Sequence, residues 1–211
     1  MSLEETLAHL RSICESVDVP VNADFEGGFT VAPSAVDANV RAATATGIAG
    51  LSIEDSTGDP SHPLFDMTLA VERIHAAREA IDTSGTGALL TGRSEGFLVG
   101  RPDLTDTIRR LLAYAEAECL YAPGLRTTAD MKTVVDALAP RPVNVMVGND
   151  SVTVAELAQL GVRRISLGGA LACAAWAGFL QAAREIAERG TFEELTRAAP
   201  FADINRSFGT T

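Results

Sequence analysis

The sequence is poor in the residues that several common functions require. Its 211 residues contain a single lysine, Lys132, and 17 basic against 28 acidic residues give a formal charge of −11. Nucleic acids and anionic membrane surfaces attract proteins through Lys and Arg, so this charge balance disfavours both as partners. We therefore expect no nucleic-acid partner and no membrane partner, which leaves small molecules and proteins.

Long apolar runs and a secretion signal are also missing. No stretch approaches the roughly 18 to 20 apolar residues of a membrane span. The N-terminus, beginning Met-Ser-Leu-Glu-Glu-Thr, lacks the basic and apolar regions of a signal peptide. The three cysteines, Cys14, Cys119 and Cys173, are far apart and form no C-x-x-C pair, which favours structural thiols over redox or metal roles. These absences predict a cytoplasmic protein.

The usual signatures of covalent catalysis are absent too. There is no G-x-S-x-G nucleophile elbow, and Lys132 belongs to a helical segment, so no strand carries a lysine that could form a Schiff base. Catalysis by a nucleophilic side chain therefore has little support.

What the sequence does contain is an alternation of short apolar runs with segments of helical period. This alternation is typical of βα units and a parallel sheet. At 46% apolar content the chain can form one sizeable core, and we predict a single domain over residues 1–211. The predicted strands are six, near residues 19–24, 48–53, 87–91, 118–122, 142–147 and 163–167.

The pattern favours a TIM-type (β/α)8 barrel. The runs are nearly continuously apolar, which predicts a sheet covered on both faces. A complete barrel has eight units and typically about 250 residues, so the chain is expected to be shortened to about six units. Polar residues suited to helix starts are Thr127 or Thr128 and Ser151, while Gly47 and Gly161 suit the left-handed turns after helices.

Two acidic pairs stand at the ends of the first two predicted strands. Asp24 and Glu26 are two apart, so on a continuing strand they would point the same way, and Glu54 and Asp55 end the next strand. Because the carboxyl ends of parallel strands meet on one face, Asp24, Glu26 and Glu54 are predicted to hold one metal. Oxygen ligands without Cys or His favour Mg²⁺ or Mn²⁺. The alternative is that these acids cap a following helix.

Further polar residues follow the other strands. Arg93 suits a carboxylate or phosphonate and developing negative charge, although a structural ion pair is the alternative. Asn144 is an amide inside an apolar strand and Ser166 precedes a Gly-Gly turn, so both are predicted substrate contacts. Gly27 and Gly28 permit a sharp turn or a close approach to substrate. The predicted catalytic residues are Arg93 and Glu54.

Several segments together resemble the isocitrate lyase and phosphoenolpyruvate mutase superfamily, in particular its bacterial mutase-like branch. The resemblance covers nearly the whole chain and is carried by the segments 21–29, 47–56, 70–80, 91–95, 119–125, 143–147 and 166–172. It implies a Mg²⁺-dependent TIM barrel that acts on a small 2-oxo acid or phosphonate. The implied chemistry is cleavage or formation of a C–C or P–C bond through an enolpyruvate-like species, in a homo-oligomer, dimer or tetramer, whose C-terminal helices are exchanged.

The resemblance also implies individual roles. Asp24 matches the direct metal ligand, Glu26 and Glu54 match acids that hold the metal largely through water, and Arg93 matches the arginine that faces the substrate. The loop after the second acidic pair, Ser56 to Phe65, has no counterpart of the cysteine motif of isocitrate lyases. That departure disfavours lyase activity of this type and leaves decarboxylase, hydrolase and mutase chemistry.

The resemblance places Asp24 on what is usually the third strand, so about two preceding βα units are expected to be missing. Part of the substrate-binding segment would be missing with them. A non-catalytic or degenerate paralogue that retains metal or ligand binding is therefore the alternative function. A phosphate-binding barrel that uses Gly168 and Gly169 would leave the acidic pairs without a role.

Overall fold

The computed structural model describes residues 1–148 and 152–209. Contacts divide the chain into two compact units, Met1–Ser166 and Leu167–Thr211. The prediction of a single domain over 1–211 stays a prediction. None of the helices within the described ranges is long and apolar enough to cross a membrane.

The first unit alternates helices and strands as the sequence predicts. All six predicted strands are confirmed within its described residues: β1 (Asn22–Asp24), β2 (Gly50–Glu54), β3 (Leu89–Arg93), β4 (Cys119–Tyr121), β5 (Val143–Met146) and β6 (Arg164–Ser166). The helices are α1 (Leu3–Ser16), α2 (Pro33–Thr44), α3 (Met67–Ser84), α4 (Leu104–Ala113), α5 (Thr128–Leu138) and α6 (Val154–Gln159).

The strands form one parallel sheet in the order β1-β2-β3-β4-β5-β6. Neighbouring strands are consecutive in the chain, and a helix follows each of the first five strands before the next one begins. This α/β arrangement is consistent with a TIM-like barrel of the kind that the resemblance implies. The N-terminal shortening stays a prediction.

The interpretation of the strands as nearly continuous apolar runs is wrong, and the prediction of a sheet covered on both faces stays a prediction. Side chains alternate along each strand, and the observed register aligns the alternation across all six strands. One face is apolar and belongs to the core with residues of the helices; it is lined by Ala23, Leu51, Ile53, Leu90, Leu120, Val143 and Val145. The other, called the polar face below, carries Asp24, Ser52, Glu54, Thr91, Arg93, Tyr121, Asn144, Arg164 and Ser166.

The ends of the helices follow the predicted local chemistry. The hydroxyl of Thr127 accepts a hydrogen bond from the Asp130 amide at the start of α5. Gly47 and Gly161 both have φ of +94°, the left-handed conformation expected after α2 and α6. The helix α6 is capped by Thr153, whereas the predicted cap Ser151 lies outside the described residues.

The second unit is helical. It contains α7 (Ala170–Arg189), which ends at Gly190 with φ of +65°, a short 3-10 helix (Glu194–Arg197) and α8 (Phe201–Ser207). The Glu185 carboxylate accepts bonds from the Thr191 hydroxyl and from the amides of Glu193 and Glu194, which fixes the 3-10 turn against α7. Within this unit α7 leaves large apolar side chains exposed, including Leu171, Trp176, Phe179 and Leu180.

Candidate active site

A buried guanidinium lies at the centre of the site. Arg93, the last residue of β3, is 9% exposed. One of its nitrogens is 2.5 Å from Asp24 Oδ1, another is 3.2 Å from Glu54 Oε2, and Glu95 Oε1 is 2.9 Å away. The Tyr121 ring centroid lies 5.2 Å from the guanidinium carbon. The structure thus brings together Asp24, Glu54 and Arg93 at one end of the sheet.

Strand register explains this convergence. Asp24 pairs with Ser52, Glu54 pairs with Arg93, and Arg93 pairs with Tyr121 across four neighbouring strands. All belong to the polar face and stand at or near the carboxyl ends of their strands, where the side chains of a parallel sheet meet. Side chains far apart in sequence therefore share one small volume.

The site carries more negative than positive charge. Burial, and then repulsion by Glu95, raise the pKa of Glu54 to about 7, although Arg93 opposes the shift. Burial also raises the pKa of Glu95. Burial lowers the pKa of Arg93, but the charges of Glu95, Glu54 and Asp24 outweigh it, so the net pKa is raised. One guanidinium does not neutralise this group of acids, and a second cation would be favoured there.

The expected alignment of Asp24 with Glu26 on one continuing strand is wrong. The strand β1 ends at Asp24, and Glu26 lies in a turn with φ of +48°. The turn keeps Glu26 beside the site because its carbonyl accepts a 3.1 Å bond from the Glu54 amide, and its charge contributes to the raised pKa of Glu54. Glu26 therefore reaches the acidic group from a turn and not by strand alternation.

Asp55 takes a different position from its neighbour Glu54. It is 2% exposed, and its carboxylate accepts bonds from the Glu95 amide (2.8 Å), Tyr114 Oη (2.6 Å) and Arg110 Nη1 (3.3 Å). Burial and the Asp55 charge raise the pKa of Tyr114. Asp55 is thus a structural anchor that joins the end of β2 to α4 and to the segment after Arg93.

The predicted substrate-contacting glycines occupy the β1–α2 turn. Gly28 has φ of +71°, and a Cβ added there would lie 3.3 Å from Ile53 Cδ1. A Cβ on Gly27 would lie 3.2 Å from Arg73 Nη2. Packing and backbone conformation already account for glycine at these two positions, so their contact with substrate stays a prediction.

Asn144 and Ser166 form a second polar group on the same face. Asn144 Nδ2 donates to Ser166 Oγ at 2.9 Å, and Asn144 is 2% exposed. Within the described part of the chain Asn144 Oδ1 has no hydrogen-bond partner. On the same face, Arg164 of β6 donates to Thr91 Oγ1 of β3 at 2.8 Å. The structure gives no direct contact of Asn144 or Ser166 with Arg93, and their substrate role stays a prediction.

The acids fit a hard divalent cation by their chemistry. Among residues 1–148 and 152–209, no three His, Cys, Asp or Glu side chains lie close enough to form a ready-made metal site. Mg²⁺, however, typically takes only one or two carboxylates directly and completes its octahedron with water and substrate. Asp24 could serve as such a ligand if the cation took the place of Arg93 beside its carboxylate. Glu26 and Glu54 could then bind the cation through water molecules.

Three side chains that contribute to the candidate site were not predicted from the sequence. Ser52 Oγ donates to Asp24 Oδ1 at 3.3 Å, Tyr121 lies against the Arg93 guanidinium, and Arg73 contacts the β1–α2 turn. Ser52 and Tyr121 share the polar-face alternation with Glu54 and Arg93, so that pattern could have revealed them. No local signal distinguishes Arg73 from a solvent-facing helical arginine.

Several solved structures have the same fold as this chain. A candidate lyase/mutase from Burkholderia cenocepacia J2315 is 42% identical, with a TM-score of 0.95 over all of this chain and 77% of that one. A candidate phosphonomutase from the same organism is 32% identical, with a TM-score of 0.81 over 88% of this chain and 79% of that one. Oxaloacetate acetylhydrolase in complex with oxalate is 21% identical and, with a TM-score of 0.83 over 97% and 73% of the chains, shows the fold alone.

Sequence comparison leads to the same group of proteins. An uncharacterized protein of Mycobacterium tuberculosis H37Rv is 30% identical over 187 residues, which are 87% of this chain and 67% of that protein. The sequence model of phosphoenolpyruvate phosphomutase matches residues 1–187. The chain therefore belongs to the phosphoenolpyruvate phosphomutase family.

Proposed function

We propose that the protein is a Mg²⁺-dependent, or Mn²⁺-dependent, enzyme that acts on a small 2-oxo acid. The reaction class is cleavage or formation of a C–C or P–C bond through an enolpyruvate-like species, by decarboxylase, hydrolase or mutase/lyase chemistry. The observation that carries this proposal is the meeting of Arg93 with Asp24 and Glu54 at the carboxyl ends of three neighbouring strands.

Each charged residue has a task in this proposal. Asp24 would hold the cation directly, while Glu26 and Glu54 would hold it through water. When bound, a divalent cation supplies Lewis-acid polarisation of a 2-oxo group. Arg93, released from Asp24, binds the anionic end of the substrate and offsets developing negative charge. Glu95 keeps the guanidinium oriented through its 2.9 Å contact.

The remaining predicted contacts complete a pocket for a small anion. The open acceptor of Asn144 and the hydroxyl of Ser166 lie on the polar face, two and three strands from Arg93. Gly27 and Gly28 would let substrate approach the backbone of the β1–α2 turn. The phosphonomutase description of one relative and the oxalate held by a protein of the same fold support a 2-oxo acid or phosphonate substrate.

A substrate panel tests the proposed reaction class. With Mg²⁺ or Mn²⁺ present, we expect turnover of at least one of oxaloacetate, phosphonopyruvate and an acylpyruvate, followed by detection of the carboxylic acid, carbon dioxide, phosphate or phosphoenolpyruvate product. Chelation of the metal should abolish that turnover. Absence of product with every substrate and both metals would contradict the enzymatic proposal.

A degenerate paralogue that retains metal or ligand binding is the second candidate. It is favoured by one observation, the pairing of Arg93 with the very acids proposed to hold the cation. A paralogue of this kind would bind Mn²⁺ or oxalate but fail the substrate panel. An active enzyme would bind these ligands and also turn over a substrate of the panel. Binding and turnover measured together therefore separate the two candidates.

We also propose that the protein is a cytoplasmic homo-oligomer, a dimer or tetramer. In the second unit, Trp176 and Phe179 form an edge-to-face pair with centroids 5.2 Å apart, yet both rings are about 60% exposed. Contiguous exposed apolar side chains typically mark an interaction surface. Light scattering should give a multiple of the 22.1 kDa chain mass, and a strictly monomeric protein would contradict this proposal.

A further inference from the structure

Arg73, on the helix α3, is a fully buried arginine whose charge has no carboxylate partner among the described residues. It is 1% exposed. Its Nη1 donates to the carbonyls of Thr30 (2.6 Å) and Val31 (2.7 Å), and its Nη2 donates to the carbonyl of Gly27. The guanidinium carbon lies 4.3 Å from the Phe65 ring centroid. Burial lowers the pKa of Arg73, so this placement is costly for a charged group.

The segment that Arg73 contacts has an unusual backbone. In the β1–α2 turn, Glu26 has φ of +48° and Phe29 has φ of +61°, and both are residues with a Cβ. A left-handed conformation is unfavourable for such a residue and persists only where the surroundings impose it. Strain of this kind is concentrated at functional sites. Here it occurs at Glu26, one of the three acids proposed to hold the cation.

The contacts of Arg73 are arranged to impose that conformation. Its planar fork bonds carbonyls on both sides of Phe29, with Gly27 before it and Thr30 and Val31 after it, and Gly27 directly follows Glu26. Asn39 Nδ2 adds a 2.8 Å bond to the Gly28 carbonyl. An ammonium group is a single point and cannot reproduce the fixed fork of a guanidinium. Three of the hydrogen bonds that hold the turn therefore come from one side chain of α3, in addition to the backbone bond from the Glu54 amide to the Glu26 carbonyl.

We propose that Arg73 is a positioning residue that fixes the β1–α2 turn and thereby places the Glu26 carboxylate beside Asp24 and Glu54. This inference rests on the proposed function, since it assigns Glu26 to the outer ligands of the cation. Arg73 itself touches neither cation nor substrate. Residues that orient metal-site groups typically change metal affinity about 10- to 100-fold when they are replaced.

The test compares Mn²⁺ affinity, measured by electron paramagnetic resonance, in wild type and variants. We expect Arg73→Met to weaken Mn²⁺ binding about 10- to 100-fold and Arg73→Lys to weaken it less. Asn39→Ala removes only the bond to the Gly28 carbonyl and should weaken Mn²⁺ binding slightly. This variant replaces Arg73→Met in the test if Arg73→Met does not fold. Backbone amides of residues 25–31 should exchange with solvent faster in each of these variants.

Arg78 provides the matched control. It lies on the same helix with a side chain 14% exposed, but it pairs with Glu118 and Asp82 and not with the turn. Arg78→Met should therefore lower thermal stability while Mn²⁺ affinity stays within about twofold. Equal loss of affinity in Arg73→Met and Arg78→Met would reduce Arg73 to a general stability role and overturn the proposal.

Asp24→Asn separates this inference from the proposed function. If Asp24→Asn abolishes Mn²⁺ binding while Arg73→Met and Asn39→Ala leave it unchanged, the metal site stands and the positioning role of Arg73 is wrong. If wild type and Asp24→Asn bind Mn²⁺ equally, the proposed metal site itself fails. The positioning role is supported when Asp24→Asn abolishes Mn²⁺ binding, Arg73→Met, or Asn39→Ala if Arg73→Met does not fold, weakens it, and Arg78→Met does not.

Discussion

Replacing Asp55 by alanine is expected to lower the free energy of unfolding by about 3 to 5 kcal/mol, because it removes one partner of a buried charge pair. The Asp55 carboxylate accepts from the Glu95 amide, the Tyr114 hydroxyl and the Arg110 guanidinium. All three donors would lose this acceptor inside the protein. Chemical denaturation measured on the purified protein gives the change directly.

Two further variants identify the cause of that loss. Asp136→Ala removes an exposed aspartate that pairs with Lys132 on α5, and it should cost less than about 1 kcal/mol. Asp55→Asn keeps one acceptor oxygen, so its loss of unfolding free energy should lie between those of Asp55→Ala and Asp136→Ala. A loss below about 1 kcal/mol in Asp55→Ala would show that the buried network contributes little to the fold.

Replacing Arg93 by methionine is expected to reduce turnover about 10²- to 10³-fold, the usual effect of removing one donor that stabilises transition-state charge. Arg93→Lys retains the charge but loses the bidentate fork, so it should recover only part of the rate. Steady-state kinetics on whichever substrate the panel identifies provides the measurement. Arg109→Met, which removes an exposed guanidinium paired with Asp106, should leave the rate nearly unchanged.

Metal binding distinguishes a substrate role of Arg93 from a structural one. In this structure Arg93 competes with any cation for Asp24 and Glu54. Its removal should leave Mn²⁺ affinity unchanged or stronger while oxalate binding is lost. Loss of Mn²⁺ binding in Arg93→Met would instead mean that Arg93 mainly supports the fold of the acidic group.

The fold could be predicted from local patterns to a large extent. Apolar runs located all six strands within a few residues, and Gly47 and Gly161 marked helix ends because a left-handed turn favours glycine. The two-faced character of the sheet was missed. Short strands such as Asn22–Asp24 hold too few residues to show alternation alone, and the polar face is recognisable only when the register aligns all six strands.

The positions of site residues at strand ends could be predicted from the sequence. The positions of residues that depend on a turn could not. Asp24, Glu54 and Arg93 converge because adjacent strands end at the same edge. Asp55 was grouped with Glu54, but consecutive strand residues point to opposite sides, and Asp55 became a buried anchor. Glu26 and Arg73 depend on a left-handed turn and on packing between α3 and that turn, which sequence spacing does not reveal.

A thermal-shift titration with Mg²⁺ and oxalate, an analogue of a 2-oxo acid enolate, tests the central claim most directly. At saturating ligand we expect the melting temperature of the wild type to rise by about 5 °C or more. The rise should be larger with both components than with either alone, disappear in Asp24→Asn and persist in the surface control Asp136→Asn. No rise in the wild type, or an equal rise in Asp24→Asn, would contradict the proposed metal-dependent 2-oxo acid site.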